Sequence, residues 1–280
     1  MTGSICTFRK GDIEFALAQT KREGWDSTAE LFETCLAHDP DGCFIAEADG
    51  QRVGMVTTTR HSRTAWVGNL IVPPEHRGGG IGTHLMTHAM AHLSSQGVRT
   101  IRLEADPPGM KLYRRLGFVD EFESLRFQLS PHRVDERCAA AAITPADLPA
   151  IAAFDAAYFG DRRDRLLKLL FEQARAAYRL AESGPIRGYA LVVPSRAGIR
   201  IGPWVTADGQ AAESLLQSIL AEWSDTTIVL GVPALNRDAI DLLESYGFAR
   251  TPSCLRMVYG IRDAFGHPEN IAAIANGAMG

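Results

Sequence analysis

Leu70-Ile71-Val72-Pro73-Pro74-Glu75-His76-Arg77-Gly78-Gly79-Gly80-Ile81-Gly82-Thr83 is the stretch on which the reading of this chain turns. Thr64 to Val72 reads as a strand that the prolines end, and Gly80 to Gln96 carries Ile81, Leu85, Met86, Ala89 and Leu93 at helical spacing. The run from Arg77 to Thr83 therefore joins a strand to a helix. Its glycines let backbone N–H groups converge on an anion without an intervening side chain. The start of the helix adds roughly half a positive charge at the same point. A pyrophosphate is the ligand such a turn suits. Neither nucleotide fingerprint is present, because no Lys-Ser/Thr pair follows as in a P-loop and no second strand follows in a dinucleotide-binding register.

Working outward, Gly97 stops the helix, Thr100 to Ala105 is a strand, and Asp106-Pro107-Pro108-Gly109 is a loop. Met110 to Leu116 is a short helix, Val119 to Leu129 a closing strand, and Ser130-Pro131-His132 a linker. Upstream, Ile5 to Arg9 is a weak strand, Asp12 opens a helix, and a second helix runs from about Ser27 to Ala37. Cys43 to Ala48 and Arg52 to Thr59 form a hairpin turned at Asp49-Gly50.

The second half repeats this order at an offset of about 130 to 135 residues. Asp12 recurs as Asp147 after Pro145-Ala146, the strand around Gly54 recurs around Gly188, and Leu116-Gly117-Phe118 recurs as Tyr246-Gly247-Phe248. After the strand Gly198 to Val205, however, the chain reads Thr206-Ala207-Asp208-Gly209-Gln210-Ala211, with a single glycine. That copy keeps the fold and loses the phosphate turn.

Counted from Arg77, the glycine run fits the (Q/R)-x-x-G-x-(G/A) loop of the GNAT superfamily of acetyl-CoA-dependent N-acetyltransferases. Leu112-Tyr113 followed by Gly117-Phe118 resembles the superfamily's second signature. The resemblance implies an α/β (α+β) chain of two GNAT-like domains in tandem, each a mixed, mostly antiparallel twisted sheet flanked by helices. Residues 1–130 would be the acetyltransferase domain, 131–136 a linker, and 137–280 a degenerate GNAT-like domain shaping the acceptor pocket. It also implies acetyl-CoA lying where two neighbouring strands splay apart, held by Leu70, Ile71, Val72 and Arg77 to Thr83. Asp106 stands where many members have an asparagine that bonds the pantetheine arm.

The matching tyrosine in the family returns a proton to the departing thiolate, and a Tyr113 phenol of pKa about 10 suits that task. Backbone N–H groups of Leu70 to Val72 would polarise the thioester carbonyl. The acceptor amine needs a base, since deprotonating an alkyl ammonium at pH 7 costs roughly 4 kcal/mol. Many members place a glutamate on the strand before the loop, whereas Thr64 to Asn69 contains none. Glu104, Asp106 and Asp161 are the alternatives. Trp204 is read either as acceptor-pocket wall or as core, and Ile271 to Ala275 as a segment packed back on the fold or frayed.

Composition narrows the remaining options. An apolar fraction of 46% and a charged fraction of 22% are those of a globular chain, and a net charge of −4 without Lys/Arg runs disfavours nucleic acid. No apolar run reaches the length of a membrane span, so a cytoplasmic protein without membrane contact is expected. Five scattered cysteines (Cys6, Cys35, Cys43, Cys138, Cys254) read as buried free thiols. His84, His88 and His92 spread over about 12 Å of one helix face, too far for one ion, so a solvated face and no metal are expected. The acceptor is read as a small-molecule amine. A non-catalytic acyl-CoA-binding or sensing module is the competing reading, a protein acetylase a third, and the oligomeric state stays open.

Overall fold

Local chemistry sets the elements before packing does. In the computed structural model, which describes residues 4–131, 140–181, 185–262 and 266–280, Asp12 Oδ2 accepts from the Arg9 N–H at 2.7 Å and Asp147 Oδ2 from the Thr144 N–H at 2.8 Å. These paired turns open α1 (Ile13–Arg22) and, in the second half, α5 (Leu148–Phe159). An arginine backs each aspartate, Arg52 at 2.5 Å and Arg179 at 3.1 Å. The internal repeat thus extends to turn chemistry. Thr28 caps α2 (Ala29–His38) through the Leu31 N–H.

The chain divides into two units. Unit 1 comprises Met1–Asp120, Met257–Arg262 and Ala278–Gly280; unit 2 comprises Glu121–Arg256 and Asp263–Gly277. In unit 1 the sheet runs β1 (Ser4–Thr7), β2 (Phe44–Ala48), β3 (Gln51–Arg60), β4 (Thr64–Ile71), β5 (Thr100–Ala105), and only the β4–β5 pair is parallel. α3 (Ile81–Ser95) covers one face: a Cβ on Gly54 would stand 2.9 Å from Leu85 Cδ1 and 3.2 Å from Ile81 Cγ2. Thr57 and Thr59 have the opposite parity and turn to the face that α2 covers, where Cys35 hydrogen-bonds Thr57. α4 (Pro107–Arg115) follows β5 and starts earlier than expected, because prolines fit the first helical turn.

The expected boundary at residue 130 differs from this division. β6 (Val119–Leu129) pairs antiparallel with β11 (Ile228–Pro233) in unit 2. Unit 1 instead recruits the end of the last long strand: the Ile261 N–H donates to the Arg99 carbonyl at 3.0 Å, and Thr100 Oγ1 donates to the Ile261 carbonyl at 2.8 Å. An open sheet edge needs a partner but does not say how far along the chain it lies. Residues 132–136 of the expected linker, and Cys138, lie outside the described residues.

In unit 2 the order is β7 (Ala141–Ala142), β8 (Ala176–Leu180), β9 (Gly188–Pro194), β10 (Ile199–Thr206), β11, β6, again with one parallel pair, β10–β11. α6 (Asp164–Gln173) follows α5, α7 (Gly209–Trp223) follows β10, α8 (Arg237–Ser245) follows β11, and β12 (Ala249–Gly260) closes the order before a short β13 (Ile271–Ala273). α7 packs Leu215, Leu216 and Ile219 into a core with Val192, Leu230 and Trp204. Beneath α5, the fully buried Arg163 guanidinium makes two bonds to Asp155, at 2.8 and 2.9 Å, and Tyr189 Oη donates to the same carboxylate at 2.5 Å. Phe159 stacks 3.8 Å from that guanidinium. Such a group is tolerated in a core only because every charge is answered.

Cys35, Cys43 and Cys254 are buried free thiols, as expected. Cys6 is exposed instead, since β1 lies at the sheet edge with one side in solvent.

Candidate functional site

The glycine turn folds as an open anion cradle. Gly78 and Gly80 have φ of +85° and +82°, conformations that side chains rarely adopt, and a Cβ on either would meet nothing within 4 Å. Gly80 is the N-cap of α3, and no side chain caps the helix. The first-turn N–H groups of Ile81, Gly82 and Thr83 therefore face outward without a capping oxygen. A Cβ on Gly82 would stand 3.5 Å from Leu112 Cδ2 and 3.7 Å from Val72 Cγ2, so α4 borders the cradle.

The turn is braced from behind. Arg77 Nε donates to the Val72 carbonyl at 2.7 Å, and its guanidinium pairs with Glu23. Arg22 forks onto Glu75 through two bonds of 3.0 Å, and that arginine holds the Glu75 carboxyl down at about 2. These contacts of Arg77 brace the turn against the chain itself.

Beside the cradle the parallel ladder of β4 and β5 covers only Thr64–Trp66 against Thr100–Arg102, although β4 runs to Ile71 and β5 to Ala105. The strands part beyond Trp66. On its other edge β4 bulges, because Gly68 and Ile71 oppose Thr57 and Met55. Asn69 adopts φ +50° in the bulge, and its Nδ2 donates to Thr57 Oγ1 at 3.0 Å. Leu70, Ile71 and Val72 thus flank the gap. Arg102 is the register partner of Trp66, and Glu104 follows on the same face of β5. Both are half-buried.

Tyr113 lies on α4, half-buried, its ring edge-on to Phe118 at 6.0 Å. Burial raises its phenol above the ordinary value, and the Asp106 charge adds to the shift. The hydroxyl stays protonated at neutral pH. Asp106 occupies the N-cap position of α4 without capping it through its side chain.

Unit 2 presents the same geometry filled in. Asp208, the N-cap of α7, accepts from the Ala211 N–H at 2.9 Å and pairs with Arg187 at 2.8 Å. The anion position at that helix is occupied by the protein's own carboxylate. The β10–β11 ladder covers only Ile199–Arg200 against Ile228–Val229, and the chain itself enters the gap beyond. β13 pairs with β10 through Ala273–Trp204 and Ile271–Val205, and the Ile274 N–H donates to the Gly231 carbonyl on β11 at 2.9 Å. Asn270 Nδ2 anchors the segment on the carbonyls of Thr206 and Ala207. Where the Phe118 N–H donates to the Tyr113 carbonyl, the Phe248 N–H donates to that of Leu243, so a buried leucine stands at the tyrosine's position.

The remaining candidates fall elsewhere. Trp204 is fully buried within the unit 2 core, not on a pocket wall, because α7 closes over β10. Asp161, also in unit 2, is buried and accepts from the Arg162 N–H at 2.8 Å. Ile271 to Ala275 is packed, not frayed. The histidine face is only partly solvated: His88 and His92 set their rings 4.5 and 5.4 Å from Phe44. Among the described residues no cluster of three or more His, Cys, Asp or Glu suits a metal, and no helix is long and apolar enough to cross a membrane. Sequence reasoning missed the filled gap of unit 2, for which the apolar run Ile271 to Ala275 was the available signal. It also missed Gly68 and Trp66.

Comparison with known proteins follows the same division. Residues 13–118 match the model of the acetyltransferase (GNAT) family, and residues 151–271 match that of an acetyltransferase (GNAT) domain. A mycothiol acetyltransferase of Streptomyces coelicolor is 37% identical over 95 residues, covering 32% of this chain and 31% of that protein. The chain thus matches about a third of the length of that relative. The uncharacterized N-acetyltransferase YitH of Bacillus subtilis is 24% identical over 80% of each chain. A solved acetyltransferase-type protein from Pyrococcus horikoshii superposes with a TM-score of 0.85 at 26% identity, over 99% of this chain and 95% of that one. A tandem GNAT protein of the clavulanic acid biosynthesis pathway gives 0.62 at 15% identity over 92% and 98%, which speaks for the fold alone.

Proposed function

Because the chain belongs to the GNAT acetyltransferases, with two of their domains in tandem, we propose that unit 1 transfers the acetyl group of acetyl-CoA to a small primary amine and that unit 2 performs no transfer. One observation carries this reading: α3 begins with an uncapped cradle, whereas α7 begins with Asp208 in place and the strand gap beside it is filled by residues 271–274. One cofactor site per chain follows.

The residues of unit 1 suit acetyl-CoA. Backbone N–H groups of Gly78 to Thr83 bind the pyrophosphate, Asp106 contacts the pantetheine arm, and the backbone of Leu70 to Val72 polarises the acyl carbonyl. The amine nitrogen attacks the acyl carbon in a ternary complex, the C–N bond forms, and the C–S bond breaks with its electron pair leaving on sulfur. Tyr113, whose phenol stays protonated at neutral pH, supplies the proton that the thiolate takes up. Glu104, on the face of β5 shared with Arg102, accepts the proton that the amine gives up. Neither Trp204 nor Asp161 has a part in this scheme. A small acceptor accords with the mycothiol acetyltransferases among the relatives.

The competing reading, an acyl-CoA-binding module without turnover, is favoured by the lack of a glutamate on β4. Thiol release from acetyl-CoA over a panel of polyamines, amino acids, aminoglycosides and peptides decides between them. Release on at least one amine, lowered in Tyr113→Phe, is expected, with one CoA bound per chain. Tight CoA binding without release on any amine would sink the enzyme.

A further inference from the structure

Gly68 sits at the point where β4 leaves β5, and what covers it comes from a remote part of the sequence. A Cβ on Gly68 would collide with the Cα and Cβ of Ala278, and one on Gly280 would stand 2.7 Å from the indole of Trp66. Ala278, Met279 and Gly280 are buried in unit 1. Trp66 and Gly68 share a face of β4, and their register partners Thr59 and Thr57 place that face on the α2 side of the sheet. The cradle belongs to the other face, since α3 packs against Gly54 there.

These placements have a chemical consequence. With its pyrophosphate on the α3 side, the acyl donor reaches the gap from that side, and an attacking amine must approach from the opposite one. That is the face of Trp66, Gly68, Arg102 and Glu104, on which Ala278–Gly280 lies. We propose that Ala278–Gly280 is a wall of the acceptor site, held close to β4 by the missing side chain of Gly68, and that it restricts the acceptor to a compact primary amine. This inference rests on the acetyltransferase reading of unit 1. The three residues act as a specificity-determining segment. They stand against β4 at Trp66 and Gly68, where a longer substrate would lie.

Two variants of the full chain test it, Gly68→Ala, which pushes the segment away, and deletion of 278–280, which removes it. Each is assayed for thiol release with ethanolamine, spermidine, kanamycin and an alanine-lysine hexapeptide, and for CoA affinity by calorimetry. Both variants are expected to raise the KM of the best compact amine at least tenfold and to raise the relative kcat/KM of the hexapeptide by a similar factor, with the CoA Kd within twofold. Combining them should give the profile of the deletion alone, because Gly68→Ala acts only through the segment. Should Gly68→Ala not fold, the same shift in the deletion variant supports the wall and its absence overturns it. An unchanged acceptor profile in an active protein overturns this inference and leaves the acetyltransferase reading intact. No release by the unaltered chain on any probe overturns both.

Discussion

Placing in unit 1 the carboxylate that unit 2 already carries at Asp208 should close its cradle. In Gly80→Asp the new side chain stands at the N-cap of α3, where it competes for the first-turn N–H groups and meets the pyrophosphate charge. Part of the effect is conformational, because φ is +82° there, and any Cβ in the left-handed region costs about 1–2 kcal/mol. Gly80→Ala reports that part alone, as nothing lies within 4 Å of its Cβ. The electrostatic part is separate. Two unit charges about 4 Å apart near a protein surface interact by roughly 4 kcal/mol before salt screening, and a filled cap removes donors worth about 1 kcal/mol. Allowing for screening, Gly80→Asp should lose about 2–4 kcal/mol of CoA affinity beyond Gly80→Ala, a factor of roughly 30 to 1,000. Titration calorimetry with CoA measures it, and pantetheine, which lacks the pyrophosphate, serves as control and should show no such excess. If Gly80→Asp binds CoA within threefold of Gly80→Ala, the cradle is not where the phosphates bind.

Three further expectations concern the tyrosine phenol and the buried ion pair. Since burial and the Asp106 charge raise Tyr113, kcat/KM should climb with pH as the amine deprotonates and show no falling limb below about pH 10; Asp106→Asn should move the phenol titration, followed by ultraviolet absorbance, to lower pH. A falling limb near pH 8 would contradict the acid role of Tyr113. Asp155→Ala should destabilise unit 2 by about 3–5 kcal/mol in urea unfolding, because it strands the Arg163 guanidinium in the core.

What the sequence made legible was whatever one segment decides by itself. Gly78 and Gly80, between β4 and α3, adopt positive φ, so their spacing reveals the turn. Asp12 and Asp147 bond within their own turns, and the repeat could be traced through them. Partner choice is different. Nothing in Ile261 announces that it pairs with Arg99, and nothing in Gly68 announces that Ala278 covers it, since both contacts join residues whose separation in sequence carries no periodic signal. The face of β5 that holds Glu104 likewise depends on the register with Trp66, which a single strand does not encode. Trp204 shows the opposite failure: a large aromatic in a glycine- and proline-containing strand suits a pocket or a core equally, and only the packing of α7 decides.

Residues 271–274 give unit 2 an occupant that is part of the chain itself. A segment tethered to its own slot competes at an effective concentration of order millimolar or above, so dissolved acyl-CoA meets an opponent that dilution does not weaken. On the proposed function, ligand-linked stabilisation would be confined to unit 1, whose folding free energy should grow with the logarithm of CoA concentration. With the single acyl-CoA site proposed for unit 1, the stability of one copy would answer to metabolite supply and that of the other would not.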